Sequence, residues 1–122
     1  MRTSHAVAAL AALAQENRLA IFRLLVEAGP EGMAAGQIAE KLGLAPNTLT
    51  FHFDRLRFAG LVTVRRDGRS MIYAAQFEAM NDLVSFLTEN CCRGAQEKCT
   101  SVTVCKPKEL SHEAVSRARR RG

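Results

Sequence analysis

Two β-rich runs, residues 61–66 and 70–75 of "LVTVRRDGRSMIYAA", flank the dipeptide Asp67-Gly68. An Asp-Gly pair between such runs is the strongest short-range signal for a β-hairpin, because glycine takes the positive φ that a tight turn demands. The preceding stretch, "PNTLTFHFDRLRFA", reads as a helix. Pro46 suits its first position, where the missing N–H would be unpaired anyway. Leu49, Phe53 and Leu56 recur at i, i+4 and i+7 and are predicted to face the core. Asn47, Thr48, Thr50, Phe51, His52 and Arg55 are predicted to look outward, and Gly60 ends the helix.

Upstream, "HAVAALAALA" (residues 5–14) places Val7, Leu10, Ala11 and Ala14 on one face at helical spacing. Its other face offers Leu13 and more alanine, so packing on both sides is expected. "ENRLAIFRLLVEA" (16–28) makes a second helix, stopped by Gly29 and Pro30, with Leu19, Phe22 and Val26 on one stripe and Ile21, Leu24 and Leu25 filling the rest. "AGQIAEKL" (35–42) makes a third, closed by Gly43. After the hairpin, residues 76–90 predict a fifth helix with Phe77, Met80, Val84 and Leu87 on one stripe and Leu83 and Phe86 beside it. That apolar face is wider than one core contact needs.

The fold expected is therefore mainly α with a β-hairpin wing, in the order α-α-α-α-β-β-α. At 122 residues one domain is expected, and 48% apolar with 24% charged residues is ordinary for a globular chain. No apolar stretch approaches the roughly 20 residues of a membrane span, and no leader pattern opens the sequence, so no membrane partner and a cytoplasmic location are expected. The net charge of +5 is uneven. Residues 106–122 carry +4 of it and read as a disordered basic tail, while residues 46–73 hold a local +3 through Arg55, Arg57, Arg65, Arg66 and Arg69 against Asp54 and Asp67.

Two short helices joined by a tight turn, followed by a hairpin with a basic tip, form the winged helix-turn-helix pattern. A helix fits the major groove of B-DNA, and small polar residues near its N-terminus can approach base edges. Arginines on a hairpin can grip the flanking backbone. Double-stranded operator DNA is the expected partner, with Asn47, Thr48, Thr50, Phe51, His52 and Arg55 on the helix and Arg65, Arg66 and Arg69 on the wing. For His52 the residues leave two roles open, contact with DNA or capping of local polar groups.

"LGLAPNTLTFHFDRLRFAGLVTVRRDGRSMIYAA" resembles the ArsR/SmtB family of metal-sensing repressors, with LGL, a polar recognition helix containing His, L-R-x-A-G-L-V, then R-x-G-R and an aromatic strand. "ALAQENRLAIFRLLVEAG" is similar to the family's L-x-x-x-x-R-L-x-I-L segment, and the resemblance covers about residues 8–90. It implies a homodimeric winged-helix repressor in which the first and last helices form the dimer interface and inducer binding releases the operator. One departure stands out. Arsenic and cadmium sensors of this family carry a Cys-Val-Cys type motif at the start of the third helix, and the aligned Ala34-Ala35-Gly36 has no thiol.

All four cysteines instead fall in "CCRGAQEKCTSVTVC", residues 91–105. The expected organisation is a DNA-binding and dimerisation domain at 1–90, an inducer segment at 91–105 and a tail at 106–122. Clustered thiols in a reducing compartment bind metal or sense redox state more often than they form structural disulfides. The spacing lacks C-x-x-C, and adjacent cysteines fit a tetrahedral zinc framework poorly. Burial as small hydrophobes does not suit a segment so polar. Thiolates favour soft ions, and trivalent arsenic or antimony takes three of them; Cys91 and Cys92 supply two, and Cys99 is preferred as the third partly because the family members this segment resembles set a Cys-Cys pair closely before a third Cys. Cys105 is a spare, a fourth ligand or an alternative third, since closing the longer loop costs only about half a kcal/mol more. A pair-only site would suit a methylated arsenical, and a cadmium or lead sensor or a reversible disulfide switch stays open. No organic cofactor is expected. A thiol enzyme is disfavoured because no His/Asp partner or phosphate-cradling loop accompanies the cysteines. A sequence-indifferent architectural DNA binder would bind without ligand control and with a steep salt slope.

Overall fold

The computed structural model describes residues 1–94, with side chains to Cys92. Its elements run α1 (Thr3–Leu13), α2 (Glu16–Ala28), β1 (Met33–Ala34), α3 (Ala35–Leu42), α4 (Pro46–Phe58), β2 (Val62–Asp67), β3 (Ser70–Ala75) and α5 (Phe77–Thr88), then a 3₁₀ turn at Cys91–Gly94. The expected winged helix-turn-helix order is present. One strand is added to it.

Each helix starts and stops for a local reason. Gln15 caps α2, its side-chain oxygen accepting the Arg18 N–H at 2.9 Å, and Gly29 ends the helix at φ +83° while donating back to Leu25 and Val26. Gly43 closes α3 in the left-handed conformation that β-carbon-bearing residues avoid. Ala45 is extended ahead of Pro46, as the residue before proline must be, so α4 starts at the proline ring.

The hairpin pairs Val62 with Ala75 through to Asp67 with Ser70, leaving Gly68-Arg69 as its two-residue loop. Gly68 supplies a φ of +64° and Arg69 does not share it, the pattern of a type II′ turn. β1 adds to the far side of β3, giving the antiparallel order β1-β3-β2 with Met33 opposite Tyr73 and Ala34 opposite Ile72. Two residues are too few to show any period, so β1 was invisible in the apolar pattern.

The core gathers Ile21 and Leu25 of α2, Ile38 of α3, Phe53 and Leu56 of α4 and Leu61, all at most 2% exposed. Each such side chain contributes about 1.5–3 kcal/mol by leaving water. Phe53 stacks on Tyr73 of β3, ring centroids 3.6 Å apart and 13° from parallel, which binds α4 to the wing.

α1 meets the core through its smallest side chains. Its buried stripe is Ala6, Ala9 and Ala12, while Val7 and Leu10 are 58% and 42% exposed. Alanine lets a helix axis approach α2 and α4 closely, so the small residues go inward and the larger ones stay outside. On α2 likewise, Ile21, Phe22 and Leu25 are buried while Leu19 of the expected stripe is exposed. On α5, Leu83 is buried, Phe77, Met80 and Phe86 pack partly against the core, and Leu87 is 58% exposed.

Gly32 has φ +75°, and a β-carbon there would run into the Tyr73 carbonyl of β3. Gly32→Ala is expected to cost more than about 1 kcal/mol in urea unfolding, whereas Gly36→Ala, with open space around it, should be neutral or slightly stabilising.

Candidate nucleic-acid interface and the cysteine pair

α4 buries Leu49, His52, Phe53 and Leu56. At about 100° per residue these four share one side, and the opposite side is centred on Asn47, Phe51 and Phe58. Asn47, Thr48, Thr50, Phe51 and Arg55 are exposed, as expected of a reading surface. Their geometry is partly fixed. The Asn47 Oδ1 accepts the Thr48 N–H at 3.0 Å, and the Thr50 hydroxyl donates to the Pro46 carbonyl at 3.0 Å. The Arg55 guanidinium lies over the Phe51 ring, 5.1 Å from its centroid. Arg57 pairs with Asp54 at 3.9 Å, an exposed contact of little energetic weight.

His52 is a correction. It is 6% exposed, on the inner side of α4 with Leu49, Phe53 and Leu56, and does not face outward. Its spacing of i+3 from Leu49 and i−4 from Leu56 puts it on the core stripe. Imidazole polarity had suggested the opposite. The burial is tolerated because Arg18 of α2 reaches it, Nη1 to Nδ1 at 3.5 Å. Arginine can only donate, so Nδ1 accepts and the ring is neutral with its proton on Nε2. Burial first, and then the adjacent Arg18 charge, lowers the His52 pKa from its ordinary value. Arg18 also donates from Nε to the Ala12 carbonyl at 2.6 Å, so one guanidinium joins the end of α1, the start of α2 and the middle of α4. Sequence reasoning missed Arg18. The available signal was an arginine in register with the buried Ile21, Phe22 and Leu25.

On the wing, Arg66 and Arg69 are exposed near the tip. Arg65 is exposed too, and its Nη2 donates to the Glu31 carbonyl at 3.1 Å, which steadies the wing against the loop ahead of β1.

Of the cysteines, Cys91 is half-buried and Cys92 exposed, in the 3₁₀ turn just beyond α5. Asn90 and Cys92 both take positive φ, 56° and 55°, so the chain turns sharply as it leaves the helix. Cys99 and Cys105 lie outside the described residues, and so does the tail from 106 to 122. Among the described residues no three His, Cys, Asp or Glu side chains gather as a metal site. The two adjacent thiols are soft donors that fit a thiophilic ion, and a three-thiolate set needs one more from further along the chain.

A helix pair whose second member exposes polar side chains, backed by a hairpin carrying exposed arginines, defines a winged helix-turn-helix DNA-binding domain. Comparison with known proteins agrees. Residues 13–65 match a family described as a helix-turn-helix domain. The HTH-type transcriptional regulator YgaV of Escherichia coli is 31% identical over 87 residues, 71% of this chain and 86% of that protein. The nodulation protein NolR of Rhizobium meliloti is 35% identical over 80 residues, 66% of this chain, and the match spans only 63% of NolR's length. Among solved structures, a homodimeric winged helix-turn-helix domain from Mycobacterium bovis, Mb0332, described as a possible ArsR-family regulator, superposes with a TM-score of 0.59. Its 23% identity, over 81% of this chain and 89% of that one, speaks to fold alone. The chain belongs to the HTH-type transcriptional regulators, and its fold is the winged helix-turn-helix of ArsR-like proteins.

Because His52 is held neutral in the fold, the unfolded chain takes up that proton first as pH falls. The stability tied to neutral His52 is complete above the ordinary value of 6.5 and is lost as pH drops below it. Urea unfolding at pH 7.5 and 5.5 should show lower stability at the acid end, and His52→Gln should flatten that difference.

Proposed function

We propose that this chain is a homodimeric transcriptional repressor that binds operator DNA through α4 and the wing. Trivalent arsenic or antimony, captured by Cys91, Cys92 and a third thiolate, makes it let go. The observation that carries the reading is the placement of paired thiols immediately after α5, on a domain whose α4 presents Asn47, Thr48, Thr50, Phe51 and Arg55 to solvent beside Arg66 and Arg69.

The homodimer is supported by apolar side chains left outside the core. Val7 and Leu10 on α1 and Leu87 on α5 are exposed on two helices that pack side by side, a surface better covered than wet. Mb0332 carries the same fold as a homodimer. In such a dimer each α4 enters a successive major groove one helical turn apart, and the wing arginines neutralise flanking phosphate.

The inducer acts where the dimer-forming helix ends. Ligation would pin the segment after Cys92 against α5 and alter how the two reading helices are set relative to each other. Release requires the ligand to favour the non-binding arrangement, and a coupling of ~1–3 kcal/mol would weaken operator affinity roughly 5–150-fold. Cys99 is the preferred third ligand and Cys105 the alternative. The two thiols of the 3₁₀ turn by themselves supply the set a methylated arsenical needs, which gives a second reading of the same site.

Operator anisotropy under reducing conditions, titrated with arsenite, methylarsenite, cadmium, zinc and peroxide, separates these readings. Arsenite is expected to dissociate the complex at about one equivalent per protomer, and Cys91→Ser with Cys92→Ser should keep operator binding and lose the response. Release by methylarsenite alone would reduce the site to the pair. Release by peroxide alone, or continued arsenite release from the double variant, would overturn the metalloid mechanism.

A further inference from the structure

Phe51 is an anomaly on its own helix. It is 51% exposed near the centre of the outward side of α4, among Asn47, Thr48, Thr50 and Arg55, where a polar side chain would be solvated at no cost. An isolated exposed apolar residue needs no explanation, but this one is held in place. Its ring makes an edge contact with the buried His52 ring, centroids 5.6 Å apart at 62°, and the Arg55 guanidinium lies over its face, 5.1 Å from the centroid. His52 is fixed in turn by Arg18. An aromatic ring has therefore been oriented, on the polar face of a helix, by two neighbours and a buried latch.

The N-terminal half of a recognition helix is the part that reaches base edges, and Phe51 is the sixth residue of α4. Phe58, although 81% exposed, sits at the helix's last position, about 10 Å further along the axis, where such a helix climbs out of the groove. In the major groove the one apolar feature among the base pairs is the thymine C5 methyl, and phenylalanine is among the side chains that contact it.

Resting on the operator reading above, we propose that Phe51 is the specificity-determining residue through which α4 selects thymine at one position of each half-site. Its ring packs on the C5 methyl. Arg55 is a positioning residue for that ring. The stack uses none of the five guanidinium N–H donors, so they remain available to a neighbouring guanine edge or phosphate. Phe51 shares a groove with Ala8 and Ala11 of α1 and with Phe58, and Arg55 beside it supplies the cation that suits a nucleic-acid surface. The fold thus predicts an operator whose half-sites share an invariant thymine recognised by shape and methyl contact, with no hydrogen bond from Phe51.

Selection from a random duplex library with the full-length reduced protein gives the half-site, and replacing each thymine by uracil in turn removes only the methyl. One position per half-site should weaken binding by about fourfold, the worth of one buried methyl-sized group. Phe51→Ala should bind the thymine and uracil duplexes alike while keeping the wild-type salt slope, since its phosphate contacts are untouched. Phe51→Leu, apolar and equally soluble at this exposed site, should retain part of the difference, which guards against a variant that merely misfolds. A flat uracil scan of the wild type, enriched half-sites without a thymine, or an unchanged thymine-uracil difference in Phe51→Ala would overturn the assignment. Failure of the library to enrich any sequence would overturn the operator reading itself, and this inference with it.

Discussion

The stack of Phe53 on Tyr73 sets the position of everything that faces outward. Phe53 belongs to the helix that carries the reading residues and Tyr73 to the strand that builds the wing, and their rings lie 3.6 Å apart in the core. On the inner side of the same helix Arg18 ties His52 to the end of α1. Close-packed interiors respond to force by moving as blocks. α4 is clamped from the wing side by an aromatic stack and from the α1 side by a guanidinium, so it cannot tilt freely within its own domain. On the proposed reading, a ligand that changes operator affinity would work by shifting one whole reading head against the other, at the surface between protomers.

On the proposed reading, that division accounts for the place of the paired thiols. Cys91 and Cys92 follow α5 by two residues, at the edge of a helix whose Leu87 is left exposed. Under the proposed mechanism, ligating them would leave α4 and the wing internally unchanged. It would alter the end of an element that the proposed dimer needs, and a change of that kind requires only a few kcal/mol of differential binding to be felt at the DNA.

Much of this was legible in the sequence, because the strongest signals are local. Pro46, Gly43 and Gly29 marked helix ends through backbone chemistry that tertiary context does not override, and Asp67-Gly68 placed the hairpin. The misreadings share a cause. β1 has two residues and no period, and it exists because β3 offers a free edge beside Gly32. The sequence pattern expected α1 to pack on both sides and did not single out the Ala6, Ala9 and Ala12 stripe that meets the core, where close approach matters more than side-chain size. His52 looked outward by polarity, and its burial depends on Arg18, thirty-four positions earlier. Long-range partners of this kind leave no trace in a window of sequence. Of the candidate surface, the exposure of Asn47, Thr48, Thr50, Phe51 and Arg55 on α4 and of the wing arginines was readable. The contacts of Phe51 with His52 and Arg55 required the fold.

Reciprocity between ligand and DNA is the most direct test of the coupling. Arsenite affinity would be measured by calorimetry on the free dimer and on the dimer saturated with operator, under identical reducing conditions. Thermodynamic linkage requires arsenite to bind the operator complex more weakly, by the same factor by which arsenite weakens operator binding. Equal arsenite affinities for the free and the DNA-bound protein would contradict it, since a ligand that does not distinguish the two states cannot shift the balance between them.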